Sequence, residues 1–388
     1  MTTAPPAPTV EAPPKKRPEV VLRGQHIPVV LPKRTDPRLK LSATIFTLTF
    51  LGLSILNFQV SIPQIAVCVL LCGLFEFLLT FRRDHVIAWP ASAIQTGISV
   101  AFIFRVSGTK HGDYWTFRGI QYFVLVVGIC LLSKQLIRYK GRHIFNPSNI
   151  GLAWGLLLIG PSHVFSEHLW WAPLGAPVLI AMAVIFAGAF WVLRQVKMLQ
   201  LAGAFLATFF VLIGLFAVFG RSYYATWHNG PVAGSFYWVT IALSPEVLIF
   251  VFFMITDPQT APKSRNGRII YGVLTAVVAA GLILVQGTEF GIKVAILSSL
   301  LVTCALVPAI EALSRRIAAR RSGAPAVAAV GAAATTVPLV KRVTTALRNP
   351  VIVAVLVIAV AAPINTALLG RDKKIVLIER GLTTRNVQ

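Results

Sequence analysis

Of the chain's 388 residues, 56% are apolar and 13% charged. An ordinary soluble domain carries about a quarter charged residues, so this composition argues against a water-soluble globule. A formal net charge of +23 invites a nucleic-acid reading, but the basic residues collect in alternate loops between apolar runs, which is how topology in a bilayer is written.

The chain opens with "TTAPPAPTVEAPPKKRP". This segment lacks the apolar core of a cleavable signal, so residues 1–40 are expected to form a disordered, basic cytoplasmic arm. A membrane domain follows at 41–311. A bilayer core takes roughly 20 apolar residues per helix, and such runs fall near 41–57, 62–81, 86–105, 119–137, 148–160, 173–193, 199–219, 241–256, 269–285 and 292–311. The run at 148–160 is short enough for a half-helix or a re-entrant segment. Residues 312–349 read as a basic, Ala-rich linker. The segment 350–388 holds a further candidate helix at 350–369 and a tail; a crossing there would put Arg371, Lys373 and Lys374 outside, against the charge rule. The expected fold is an all-α polytopic membrane protein of about ten transmembrane helices. With the N-terminus inside, the inner segments before the tail carry nineteen Lys and Arg, and the outer loops carry four, Arg105, Lys110, Arg118 and Arg221. A cytoplasmic N-terminus and contact with anionic lipid follow from that asymmetry.

The third run opens "VIAWPAS" and the eighth "TIALSPE", which puts Pro90 and Pro245 just inside the membrane. Five runs separate them, an odd number, so two five-helix halves would be inverted repeats. Such halves often place an ion or solute path at their interface, on broken helices. The plainer reading is that Pro is simply common in membrane helices.

Two boundary stretches stand out, "RHIFNPSNIGLAWGLLLIGP" from Arg142 and "FMITDPQTAPKSRNGRIIYG" from Phe253. Each sets a capping residue before proline, Asn146-Pro147 and Asp257-Pro258, which starts or stops a helix sharply. Together with "GIKVAILSSLLVTCALVPAIE" they resemble the RnfD and NqrB family, the membrane subunits of ion-coupled electron-transfer complexes of the bacterial cytoplasmic (inner) membrane. The resemblance implies ten helices and a flavin attached through phosphate to a threonine in an S-G-A-T type motif. No such motif occurs in this chain. Only "PSHVFSEHLWWA" separates Pro161 from the next run, Ser244-Pro245-Glu246-Val247 stands where the motif would lie, and Thr226 and Thr44 lack the glycine. A covalent flavin is therefore not expected; a non-covalent flavin, or one borne by a partner, is left. Short chains of this kind are similar to the UnbU proteins of enediyne biosynthesis clusters.

Glu246, about five residues into the eighth run, is costly at that depth. It reads either as part of an ion or solute path or as a carboxylate snorkelling to the interface. Glu76 has easier access to Arg82 and Arg83. Asp257, with Thr256 beside it, is expected to bond backbone amides beyond Pro258 or to pair with Lys263, Arg265 or Arg268, fixing a hairpin; an anion site at Arg268 is the alternative. Cys72, Cys130 and Cys304 fall at a shared depth and Cys68 is one turn from Cys72, which would permit an iron–sulfur or metal site, although buried thiols packing between helices explain the same spacing. The histidines lie in loops or at run ends, a poor setting for a haem between helices. Two functions from different classes follow. One is an electron-transport subunit with redox partners docking on its cytoplasmic basic loops. The other is a carrier or channel for a small solute, serving natural-product biosynthesis.

Overall fold

In a computed structural model of the protein, residues 18–22, 24–139, 141–171 and 175–321 are described. The expected linker beyond Arg321 and the candidate helix at 350–369 lie outside them. The chain begins with a hairpin of β1 (Glu19–Leu22) and β2 (Gln25–Val30), and β2 continues parallel to β3 (Ile87–Ala88). Residues 19–22 and 25–30 of the expected disordered arm are therefore in strands: the extended chain ahead of the first helix finds backbone partners within the hairpin and in β3.

Asp36 caps α1 (Pro37–Ser54), its carboxylate accepting from Arg38 N at 2.9 Å. Ser61 and Gln64 form a reciprocal capping box at the start of α2 (Ile62–Asp84), which satisfies two of the amide donors a helix start leaves open. Then come α3 (Ala91–Ile103), β4 (Phe104–Val106), α4 (Ile120–Leu136), the hairpin of β5 (Arg138–Tyr139) and β6 (Arg142–His143), α5 (Pro147–Ile159) and β7 (Val164–Ser166). The second set holds α6 (Ala176–Val196), α7 (Leu199–Val218), the hairpin of β8 (Ser222–Tyr224) and β9 (Pro231–Ala233), α8 (Gly234–Ala242), α9 (Pro245–Ile249), α10 (Arg265–Ile283) and α11 (Glu289–Arg321). Helix α9 runs on as a π-helix over Phe250–Met254.

Helix thus falls in every expected apolar run, but among the described residues six helices are long and apolar enough to cross a membrane: α2, α6, α7, the broken span Gly234–Met254, α10 and α11. Helices α3, α4 and α5 are apolar but shorter. The outer faces suit hydrocarbon. Leu70, Leu74 and Leu78, spaced four apart on α2, are 67%, 56% and 48% exposed, a stripe that water would not support beside so many other exposed apolar side chains. Helix α11 runs ten residues past the expected boundary at 311, carrying the basic "RRIAARR" segment in helix.

Within the first set, α2 packs on α3 and α4, α4 on α5, and α1 on α3. Within the second, α7 packs on α8 and α10, α10 on α11, and α6 on α9. The sets meet where α1 lies on α6 and α5 on α11. Some of these approaches require glycine: a Cβ on Gly97 would stand 2.4 Å from Cys68 O, and one on Gly272 2.5 Å from Leu201 O.

Candidate functional site

Two helices stop short inside the molecule, and the site lies where they stop. Helix α3 ends at Ile103 and hands over to β4, which pairs antiparallel with β7 from the end of α5, setting Arg105 opposite Phe165. The eighth run breaks at Leu243–Ser244, where Ser244 Oγ caps α9 by accepting from Val247 N at 3.3 Å. Pro245 suits that first turn because it has no N–H to leave unpaired. Glu246, in the same turn, lies twelve residues beyond the start of the span Gly234–Met254, roughly 18 Å along it. It is therefore near mid-span, deeper than its place in the apolar run suggested.

Glu246 joins a buried charge network. Trp171, wholly buried, donates Nε1–H to Glu246 Oε1 at 2.9 Å, and Lys293 Nζ stands 3.3 Å from Glu246 Oε2. One turn before Lys293 on α11, Glu289 accepts from Leu169 N at 2.5 Å and from Trp227 Nε1 at 2.9 Å, and lies 3.0 Å from His168 Nδ1. His168 Nε2 lies 3.2 Å from an Arg105 guanidinium nitrogen, and Arg105 binds Glu167 Oε1 at 2.7 Å. Arg105, Glu167, Glu246, Glu289 and Lys293 are each less than a tenth exposed, whereas the His168 side chain is 27% exposed. Three carboxylates thus face two fixed cations and an imidazole.

The network is not saturated. Lys293 Nζ has three donors but no well-aligned hydrogen-bond partner, and Arg105 Nε and Glu167 Oε2 are likewise unmet among the described residues. A void of about 20 Å3 adjoins Glu246 and Lys293, room for about one water. Ile103 and Met254 line that void and also line a far larger cavity of about 530 Å3, so they form the wall between the two. The large cavity opens at the other end of the bundle, among Ser92, Gln95, Lys134, His143, Asn146 and Asp257.

Asn146 and Asp257 both line that cavity, and Asp257 takes the first of its two expected kinds of partner, a backbone amide beyond Pro258. Asn146 Oδ1 caps α5, accepting from Asn149 N at 3.3 Å, while its amide nitrogen lies 3.5 Å from the Met254 carbonyl, which the π-helix end leaves free. Thr256 Oγ1 donates to Phe252 O at 2.5 Å. Asp257 accepts from Gln259 N at 2.9 Å and lies 3.9 Å from His143 Nε2; it forms no ion pair with Lys263, Arg265 or Arg268. Arg268 is instead committed to the Pro262 and Lys197 carbonyls at 3.2 and 2.9 Å, which takes it out of any anion site, and Arg265 sits exposed in the first turn of α10. The loop is held by a residue the sequence did not single out: Glu311 of α11 accepts from Lys263 N at 2.5 Å and Ser264 N at 3.2 Å. Glu76 pairs with Lys134, not with Arg82 or Arg83. Pro90 begins α3 at the same cavity end.

The cysteines do not assemble a four-thiolate site. Cys304 takes the Tyr271 hydroxyl at 3.2 Å, Cys130 packs where Gly151 has no side chain, and among the described residues no three His, Cys, Asp or Glu side chains converge as a metal site.

These elements define a mostly helical, multi-pass membrane protein. Residues 172–320 match the family model described as NQR2, RnfD, RnfE family. The matched stretch runs from the approach to α6 almost to the end of α11, so it takes in the second set of helices with the T-D-P to N-G-R loop and leaves out the F-N-P helix α5. No curated protein matches the chain.

The flavin attachment that the family resemblance implies can be tested against these side chains. Thr44 Oγ1 donates to Lys40 O at 2.9 Å and packs where α1 meets Gly188, with no free space. Thr226 borders a void of about 30 Å3, an order of magnitude below the ~300–1,000 Å3 of ordinary cofactor pockets. The loop after α5 turns Glu167, His168 and Trp171 into the network instead of presenting a hydroxyl. These residues do not fit a covalently held flavin.

Proposed function

We propose that the chain is an RnfD/NqrB-like integral membrane subunit linked to electron transport, without a covalent flavin of its own, and that its part in the coupling is to pass protons between its two helix sets. The observation that carries this reading is the unsaturated network around Glu246 and Lys293, separated from a 530 Å3 cavity by Ile103 and Met254. An ammonium beside the carboxylate repels a metal cation, whereas a proton can pass along water and carboxylates. His168, partly exposed, supplies one entry, and the cavity at the Asp257 end supplies the other.

The matching packing of α1–α5 and α6–α11 supports an inverted repeat in which α8 and α9 together count as one crossing, giving ten. The loop charges support a cytoplasmic N-terminus in a bacterial cytoplasmic membrane, with redox partners, and any flavin they carry, on the basic cytoplasmic loops. The cavity volume supports a second reading, a carrier for a small organic solute, which would suit a chain serving natural-product biosynthesis.

The test is twofold. Ultraviolet inspection of a denaturing gel, with intact mass, should show no flavin-sized addition to any threonine. Reconstituted vesicles should pass protons through the wild type and not through Glu246→Gln. A fluorescent band with that added mass would sink the first part, and solute uptake without proton flux would favour the carrier.

A further inference from the structure

We propose that a second pocket, beside the mouth of the large cavity, binds a phosphate-bearing anion. This pocket, about 320 Å3 in volume, lies between the β5–β6 hairpin, the loop that follows Asp257 and the distal part of α11. Each of those segments contributes one cation: Arg142, Lys263 and Arg315. All three are exposed, and none forms an ion pair among the described residues. The one acid in the lining, Glu311, is already engaged by the Lys263 and Ser264 amides and by the Ser264 hydroxyl at 3.0 Å. Positive charge therefore converges from three sides on a space whose only carboxylate is occupied.

Two guanidinium groups and an ammonium match a tetrahedral phosphate better than a planar carboxylate, since each oxygen can take a charge-assisted bond from a different side. The floor is apolar, built from Ile144, Val307 and Pro308, so the ligand carries an apolar part next to its phosphate. An anionic phospholipid headgroup and a free organic phosphate share that chemistry. His143 and Gln259 line both this pocket and the large cavity, so an anion seated here stands at the entrance to the proton path without belonging to it. The reading is independent of the function proposed above, since none of its three cations lies in the Glu246 network.

The experiment uses the purified full chain in detergent. Native mass spectrometry reads retention of added short-chain phosphatidylglycerol against phosphatidylcholine, and thermal unfolding is followed with and without inorganic phosphate. The wild type should retain phosphatidylglycerol preferentially, and the triple variant Arg142→Gln/Lys263→Gln/Arg315→Gln should retain it about tenfold less. An unchanged melting temperature without ligand shows that the triple variant is folded. Lys110→Gln/Arg221→Gln, at the other end of the bundle, should behave as wild type. Retention of phosphatidylglycerol without stabilisation by inorganic phosphate identifies a lipid headgroup as the ligand. Stabilisation by phosphate that the triple variant loses identifies a free phosphate compound. Equal retention by wild type and triple variant, or no preference for either phosphate source, overturns the proposal.

Discussion

At the scale of single residues, the Glu246–Lys293 pair is the most exposed to test. Both side chains are at least nine-tenths buried and 3.3 Å apart. Removing one partner strands the other in a medium that solvates charge poorly, a loss of about 3–5 kcal/mol. Glu246→Gln and Lys293→Met should therefore each lower the melting temperature of the detergent-purified protein. The double variant should recover much of the loss, because neither the carboxylate nor the ammonium of the pair is left stranded; strict additivity would mean that the two do not interact. Glu246 was legible in the sequence because an ionisable group stood in an apolar run. Lys293 was not, since it opens the last run and reads as an end residue reaching for water. Arg105, Glu167 and Glu289 stand in loops or at helix ends, where nothing local reveals that β4–β7 pairing and the buried Trp171 turn them inward.

At the scale of elements, the turn after Asp257 rests on two carboxylates, Asp257 and Glu311, of which the sequence pointed only to the first. The Asp257 carboxylate accepts one hydrogen bond in the turn, from Gln259 N, so Asp257→Ala should cost about 0.5–1.5 kcal/mol. Glu311→Ala should cost more, because it leaves the Lys263 and Ser264 amides without their acceptor, and Glu311→Gln should be milder. A chemical-denaturation series on the three variants checks this order; a larger loss in Asp257→Ala would restore it as the anchor of the hairpin. Helix contacts carry a second expectation. Gly97→Ala drives a methyl into the Cys68 carbonyl and Gly272→Ala into that of Leu201, and backbone yields less readily than a side chain. Each should cost about 1–3 kcal/mol, read as a lower melting temperature. Gly128→Ala, with nothing within 4 Å, should be close to neutral. Periodicity and apolar length located the helices well. They missed α8 as part of the eighth crossing, because the expected run began at 241 and only the last two residues of Gly234–Ala242 fall within it.

At the scale of the whole molecule, the proposed cytoplasmic N-terminus puts the Asp257 cavity inside and His168 outside. In intact cells, a cysteine introduced at Asn266 should resist a membrane-impermeant maleimide, and one at Arg221 should react; the four native cysteines are buried. Labelling at Asn266 alone would invert the orientation. The parallel pairing of β2 with β3 could not be foreseen, since β3 lies far along the chain and contributes two residues. The central claim, that protons cross through the Glu246–Lys293 network, is tested most directly by flux. Purified protein is sealed into vesicles holding a pH-sensitive dye, and a potassium gradient with valinomycin sets the driving force. The account predicts dye acidification with wild type and at least about a tenfold slower rate with Glu246→Gln. Equal rates for the two proteins, with both shown folded and inserted, would contradict it.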